Sequence, residues 1–189
     1  MSIDEYLNGF GEQDTNEEKP IDVVRNPRVD EICRMYEEFL HLMGHDGEMY
    51  QDTFNLVEDL QPTFKDIRDF SIALKEKELE VYFRCTGYFL ALLINISKEK
   101  NFEILTEHLE GRMDYLGNQN VKNIIVKGHV GNYLGIQMIN GSIIVHGNAG
   151  DSVGHCIEGG KIEVNGDISS VSENFKGGEI YHKGVRIYP

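Results

Sequence analysis

The sequence predicts an all-β, single-stranded parallel β-helix over residues 79–189. A small α-helical domain over 25–78 and an acidic flexible arm over 1–24 precede it. Three observations predict this. Fifteen of the 20 glycines lie between Gly111 and Gly184. The same stretch contains internal copies of itself, offset by 19 and then 18 residues. Paired apolar residues recur at nearly that offset, the period of stacked coils rather than of a globular core.

The front of the chain has helical periodicity. Residues 1–24 carry few apolar side chains and cannot bury enough surface to offset ordering entropy. Asn26-Pro27 reads as an N-cap followed by proline at the first helical position. Val29, Ile32, Tyr36, Phe39, Leu40 and Met43 follow at three- and four-residue spacing, so a helix is predicted over 27–43, ended by Gly44. Tyr50, Phe54, Val57 and Leu60 predict a second helix, closed by Pro62. Phe64, Ile67, Phe70 and Leu74 predict a third.

The repeat carries the rest. Gly128, Gly131 and Gly135 superpose on Gly147, Gly150 and Gly154, a G-xx-G-xxx-G spacing repeated after 19 residues. Asn140–Gly147 likewise superposes on Gly159–Gly166, and Asp151–Gly160 on Ser169–Gly178. Upstream, Asp114-Tyr-Leu-Gly117 echoes Asn132-Tyr-Leu-Gly135, and Tyr88-Phe-Leu-Ala91 is a fainter echo. The apolar pairs run Val81/Phe83, Phe102/Ile104, Ile124/Val126, Ile143/Val145, Ile162/Val164, then Ile180, with Val185 and Ile187 closing the chain. Each pair reads as the inward side of a short strand, most plainly in Ile162-Glu-Val164, where the middle residue is polar. Glycine ends the strands at Gly128, Gly147, Gly166 and Gly184, and Gly160 and Gly178 stand just before the next strands. One segment reads two ways. Thr86–Ile94 is expected as a coil by the apolar pairs, and equally as a buried helix of the front domain.

Charge bounds the partners. The net charge is -14. Residues 1–78 hold 20 acids and 8 bases, a net of -12. Nucleic acid and anionic membrane surfaces need a basic face, so neither is expected. No apolar run reaches a membrane span, and the N-terminus lacks the pattern of a signal peptide. A cytoplasmic protein is expected. Cys33, Cys85 and Cys156 are far apart and form no metal or disulfide pattern.

These glycine copies resemble the G-xx-G-xxx-G domain at the C-terminus of the glutamate synthase large subunit. The same repeat occurs in a β-helical subunit of formylmethanofuran dehydrogenase and in stand-alone archaeal proteins. The resemblance is closest from Gly117 to Gly166. It implies a right-handed β-helix used as a structural element, carrying neither flavin nor iron–sulfur cluster. The third copy departs from the pattern, with Ser169 and Ser172 at glycine positions. The chain also lacks the family's nucleophile cysteine, cysteine cluster and flavin barrel, so no enzymatic residue carries over.

The residues that tempt a chemical reading each have a structural alternative. The glycine spacing fits neither dinucleotide nor phosphate-loop patterns. His129, His146, His155 and His182 share no column in adjacent coils, and His41 with His45 lacks a third ligand. Asp151-Ser152 with His155 suggests a nucleophile but has no elbow motif. The repeat explains Asp151 as a turn residue matching Asn132 and Asp114. Cys156 matches Gln137 and Asn174 and reads as an incidental thiol. No catalytic, cofactor or metal site is therefore expected, and no cofactor. The leading expectation is a non-catalytic scaffold docking other protein subunits, with self-association where the last coil is left uncovered. Alternatives are a component of an amidotransferase or oxidoreductase complex, and a stand-alone esterase-type hydrolase.

Overall fold

A computed structural model describes residues 27–43, 49–78 and 83–188. The predicted arm over 1–24, Gly44, His45 and Val81 lie outside the described residues. Among these residues, helices α1 (Pro27–Met43), α2 (Met49–Val57), α3 (Phe64–Ala73) and α4 (Thr86–Ile96) precede strands β1 (Asn101–Leu105), β2 (Asn123–Lys127), β3 (Ser142–Val145), β4 (Lys161–Val164), β5 (Glu179–His182) and β6 (Val185–Tyr188).

Strands β1 to β5 pair in parallel, each with the next, so the chain winds as a β-solenoid. The register is the one the apolar pairs predict. Phe102, Ile124, Ile143, Ile162 and Ile180 form one inward column, and Ile104, Val126, Val145 and Val164 a second. Every member of both columns is fully buried. One such strand has no core of its own. Stacking joins the side chains into a continuous apolar interior, worth about 1.5–3 kcal/mol for each fully buried aliphatic.

The predicted glycines have two uses. Gly147 takes its place because the coils approach too closely for a side chain, a β-carbon there standing 2.4 Å from the Gly128 carbonyl oxygen. Gly135 has φ +66°, and its missing side chain leaves room for the Ile162 methyl, 2.4 Å from where a β-carbon would be. The same turns also force non-glycine residues into the left-handed region. Tyr115, Tyr133 and Ser152 form one such column, with φ from 58° to 66°, and Gln119, Gln137 and Cys156 another, with φ from 52° to 54°. A left-handed backbone costs each roughly 1–2 kcal/mol, which stacking must offset.

Expectations change at both ends of the solenoid. Among the described residues, 83–96 adds no coil, because Thr86–Ile96 is helical and the first strand is Asn101–Leu105. Thr86 through Ile94 is buried on every side, which suits a helix wedged between other elements. The Tyr88–Ala91 echo and the Phe83 position therefore belong to helical structure. At the other end, Val185 and Ile187 do not add a coil. The chain reverses at Lys183-Gly184, both with positive φ, and β6 runs antiparallel to β5. The last coil is thus covered, with Tyr188 stacked on Phe175 at 3.7 Å, while Val185 and Ile187 stay exposed.

The helices close the opposite end. Thr63 and Asp66 cap α3 reciprocally, which fixes its start. Helix α3 packs on β1, where the Ser71 hydroxyl accepts the Leu105 N–H (3.1 Å). Phe89 of α4 packs its ring between those of Tyr36, Phe39 and Phe70. Lys122 reaches back from the first coil to donate to the carbonyls of Ser97 and Glu99. One apolar cluster runs from Ile32 through Phe89 to Ile180, so helices and coils share a core. No helix among the described residues is long and apolar enough to cross a membrane.

Candidate functional site

Most polar side chains singled out in the coils hold one coil to the next. The Asp114 carboxylate accepts the N–H of Asn132 (2.7 Å), and the Asn132 amide oxygen accepts the N–H of Asp151 (2.8 Å). Asp151 in turn accepts from the Ser170 hydroxyl (3.0 Å). A second ladder starts at His129, whose Nδ1 accepts the N–H of Asn148 (2.9 Å). Asn148 accepts that of Asp167 (2.8 Å), and Asp167 pairs with Lys183. A third joins Asn101, Asn123 and Ser142. Where the donor is a turn N–H, at Asn132, Asp151, Asn148 and Asp167, the rung pairs a group that would otherwise face its neighbour unpaired.

These ladders dismantle the candidate nucleophile. Asp151 bonds Ser170, not Ser152. His155 Nδ1 bonds the Ser172 hydroxyl (3.0 Å), which also accepts the N–H of Asn174. The sequence copy of Asp-Ser-x-x-His is therefore not brought together. Ser172, the departure from the glycine pattern, is the buried partner that holds His155, and Tyr133 meets the His155 ring edge-on at 5.9 Å. His182 bonds the Gly166 carbonyl (2.9 Å). No group of three histidine, cysteine or acidic side chains suited to a metal occurs among the described residues. His41 sits in a shallow groove between α1 and α2 with Glu38 and Asn55.

Among the described residues, a concave site lies at the junction of helices and coils. It has a volume of about 330 Å3. Met43 at the end of α1, with Cys85 and Tyr88 at the start of α4, forms the helical wall. Tyr115 and Ile136 form the coil wall, and the amides of Asn118, Gln119 and Gln137 form a rim. Tyr115 and Tyr133 stack with centroids 5.3 Å apart and planes 4° apart, and Gln119 Nε2 donates to Gln137 Oε1 (3.2 Å). Burial, with the nearby Asp114 carboxylate, pushes the Cys85 thiol up from its ordinary value, against the opposing pull of Arg84. Burial and Asp114 likewise push up the Tyr115 phenol.

Sequence reasoning gave this site no role. The Y-L-G copies carried the signal, since they superpose Tyr115 on Tyr133 and Gln119 on Gln137, but only the helical state of Thr86–Ile96 opens a cleft beside them. The fold defines a β-solenoid protein with helices closing one end. Compared with protein-family models, curated proteins and solved structures, the chain matches none.

Proposed function

We propose that this chain is a non-catalytic β-helical scaffold, right-handed and cytoplasmic, that docks other protein subunits. In this role it resembles the structural domain of glutamate synthase. The observation that carries the reading is the coil-to-coil ladder. Asp151, His155 and His129, three of the side chains that invite a chemical role, bond the next coil instead. A solenoid held this way presents stiff lateral faces. Its last strand, β6, adds an edge with exposed Val185 and Ile187.

The particular partners proposed are subunits of an amidotransferase or oxidoreductase complex. Affinity purification of the tagged full chain from its native cell, with quantitative mass spectrometry, tests this. A synthase, amidotransferase or dehydrogenase subunit recovered in stoichiometric amount is the expected result. Recovery of the chain alone, or turnover of short esters lost on Ser152→Ala, would overturn it.

A further inference from the structure

Lys65, Lys75, Lys77, Lys161, Lys176 and Lys183 each pair with a carboxylate. Lys98, Lys100 and Lys122 pair with none among the described residues, although the chain carries a net charge of -14. All three meet at one corner, where α4 gives way to β1. The Lys122 ammonium donates to the carbonyls of Ser97 (2.7 Å) and Glu99 (3.0 Å), which holds it beside residues 97–100. Burial and then the Lys100 charge push its pKa below the ordinary value. Lys98 and Lys100 are exposed. Two aliphatic side chains stand at the same corner. Val121, next to Lys122, is 47% exposed. Ile139 is 50% exposed one coil further on, its N–H bonded to the Asn120 carbonyl (3.0 Å). Like charges crowded beside bare aliphatics suit a partner that is both acidic and apolar.

We infer that this corner is occupied by the chain's own segment Ile3–Phe10. Residues 1–24 hold seven acids and one lysine. Within Ile3–Phe10, Asp4 and Glu5 stand among Ile3, Tyr6, Leu7 and Phe10, the acidic and apolar mixture the corner lacks. Reach sets no limit. The residues before Pro27 can span up to roughly 85 Å, against a radius of gyration of about 16 Å for a compact chain of this length. Tethering favours this occupant over a free one, because a linked segment meets its site at an effective concentration on the order of millimolar. A phosphate-bearing ligand fits less well. Lys122 already has two ammonium donors on backbone carbonyls, and such a ligand would leave Val121 and Ile139 bare. The inference goes beyond the scaffold reading and stands whichever subunits that scaffold docks.

Zero-length carbodiimide cross-linking of the full chain, mixed from heavy- and light-isotope preparations and mapped by mass spectrometry, tests it. Links from Asp4 or Glu5 to Lys98 or Lys100 are expected within one chain. They should exceed links from the same acids to lysines outside the corner by about fivefold and vanish in about 1 M salt. Chymotryptic cleavage after Tyr6, Leu7 and Phe10 should run about tenfold slower in the unaltered chain than in the double variant Lys98→Glu with Lys100→Glu, because cleavage follows the undocked population. Should that variant fail to fold, the links in the unaltered chain decide. Links only between heavy and light chains, links spread evenly over the lysines, or equal cleavage of the two folded chains would each overturn the inference.

Discussion

Gly87, on the first turn of α4, lies so close to Asp114 that a β-carbon on it would stand 2.2 Å from the Asp114 carbonyl oxygen. The obstructing atom is backbone, as is the Leu116 nitrogen at 2.8 Å, so neither can swing aside. This contact seats the helices on the first coil. Gly87→Ala is therefore expected to destabilise the chain by about 3 kcal/mol through overpacking, despite the better helix propensity of alanine. Urea unfolding measures it. A stability unchanged or raised would mean that α4 does not dock on Asp114.

Asp114 supports two interactions of different worth. Its Oδ1 accepts the Asn132 N–H, and its Oδ2 meets an Arg84 side chain that is 69% exposed. An ion pair with so exposed a partner contributes roughly 0–1 kcal/mol. The Asn132 N–H is part-buried, and a buried donor left unpaired costs about 1–3 kcal/mol. Asp114→Asn should thus cost little and Asp114→Ala clearly more, read from paired unfolding curves. Equal losses would show that the ion pair, not the ladder, matters.

Glu78 clamps the helical part to the coil. Its Oε1 accepts the N–H groups of Glu110 (2.5 Å) and Gly111 (2.9 Å), and its Oε2 pairs with Lys75 (2.7 Å). Burial alone would raise this carboxyl. The Lys75 ammonium and the two backbone donors outweigh it and hold the pKa below its ordinary 4.5. A carboxyl lowered on folding adds stability that is present above its unfolded value and lost as pH falls through the folded one. Glu78→Gln is expected to cost about 1–2 kcal/mol at neutral pH. The gap between variant and unaltered chain should close as pH falls below about 4.5. A gap independent of pH from 7 to 3 would contradict the clamp.

Cys33 on α1 has its thiol pushed up to about 11 from 9.0, by burial more than Lys77 offsets it. Its thiolate fraction at pH 8 is then about 100-fold below that of an ordinary thiol. Alkylation of Cys33 in the folded chain should lag far behind the same residue in urea. Equal rates would mean that α1 does not pack as described.

Much of this architecture is local and was legible. Ile124/Val126, Ile143/Val145 and Ile162/Val164 recur at a fixed offset, each pair bracketed by polar residues (Asn123 and Lys127, Ser142 and His146, Lys161 and Asn165), so spacing alone set the register. Asn26-Pro27 and the stripe from Val29 to Met43 likewise marked α1. Thr86–Ile96 was not legible, because a run that is apolar at nearly every position has neither period. What it packs against decides its state, and here Phe89 finds the rings of Tyr36, Phe39 and Phe70.

By itself, then, the sequence determined the coil period, the inward columns, and Asp114, Asn132 and Asp151 as equivalent turn positions. Only the tertiary structure decided that Tyr115 and Gln119 adopt left-handed backbones, that His155 bonds Ser172, and that β6 folds back over β5. It alone decided the cleft as well. Periodicity is written in neighbouring residues, whereas a left-handed tyrosine, a reversed last strand or a concave junction depends on atoms many residues away.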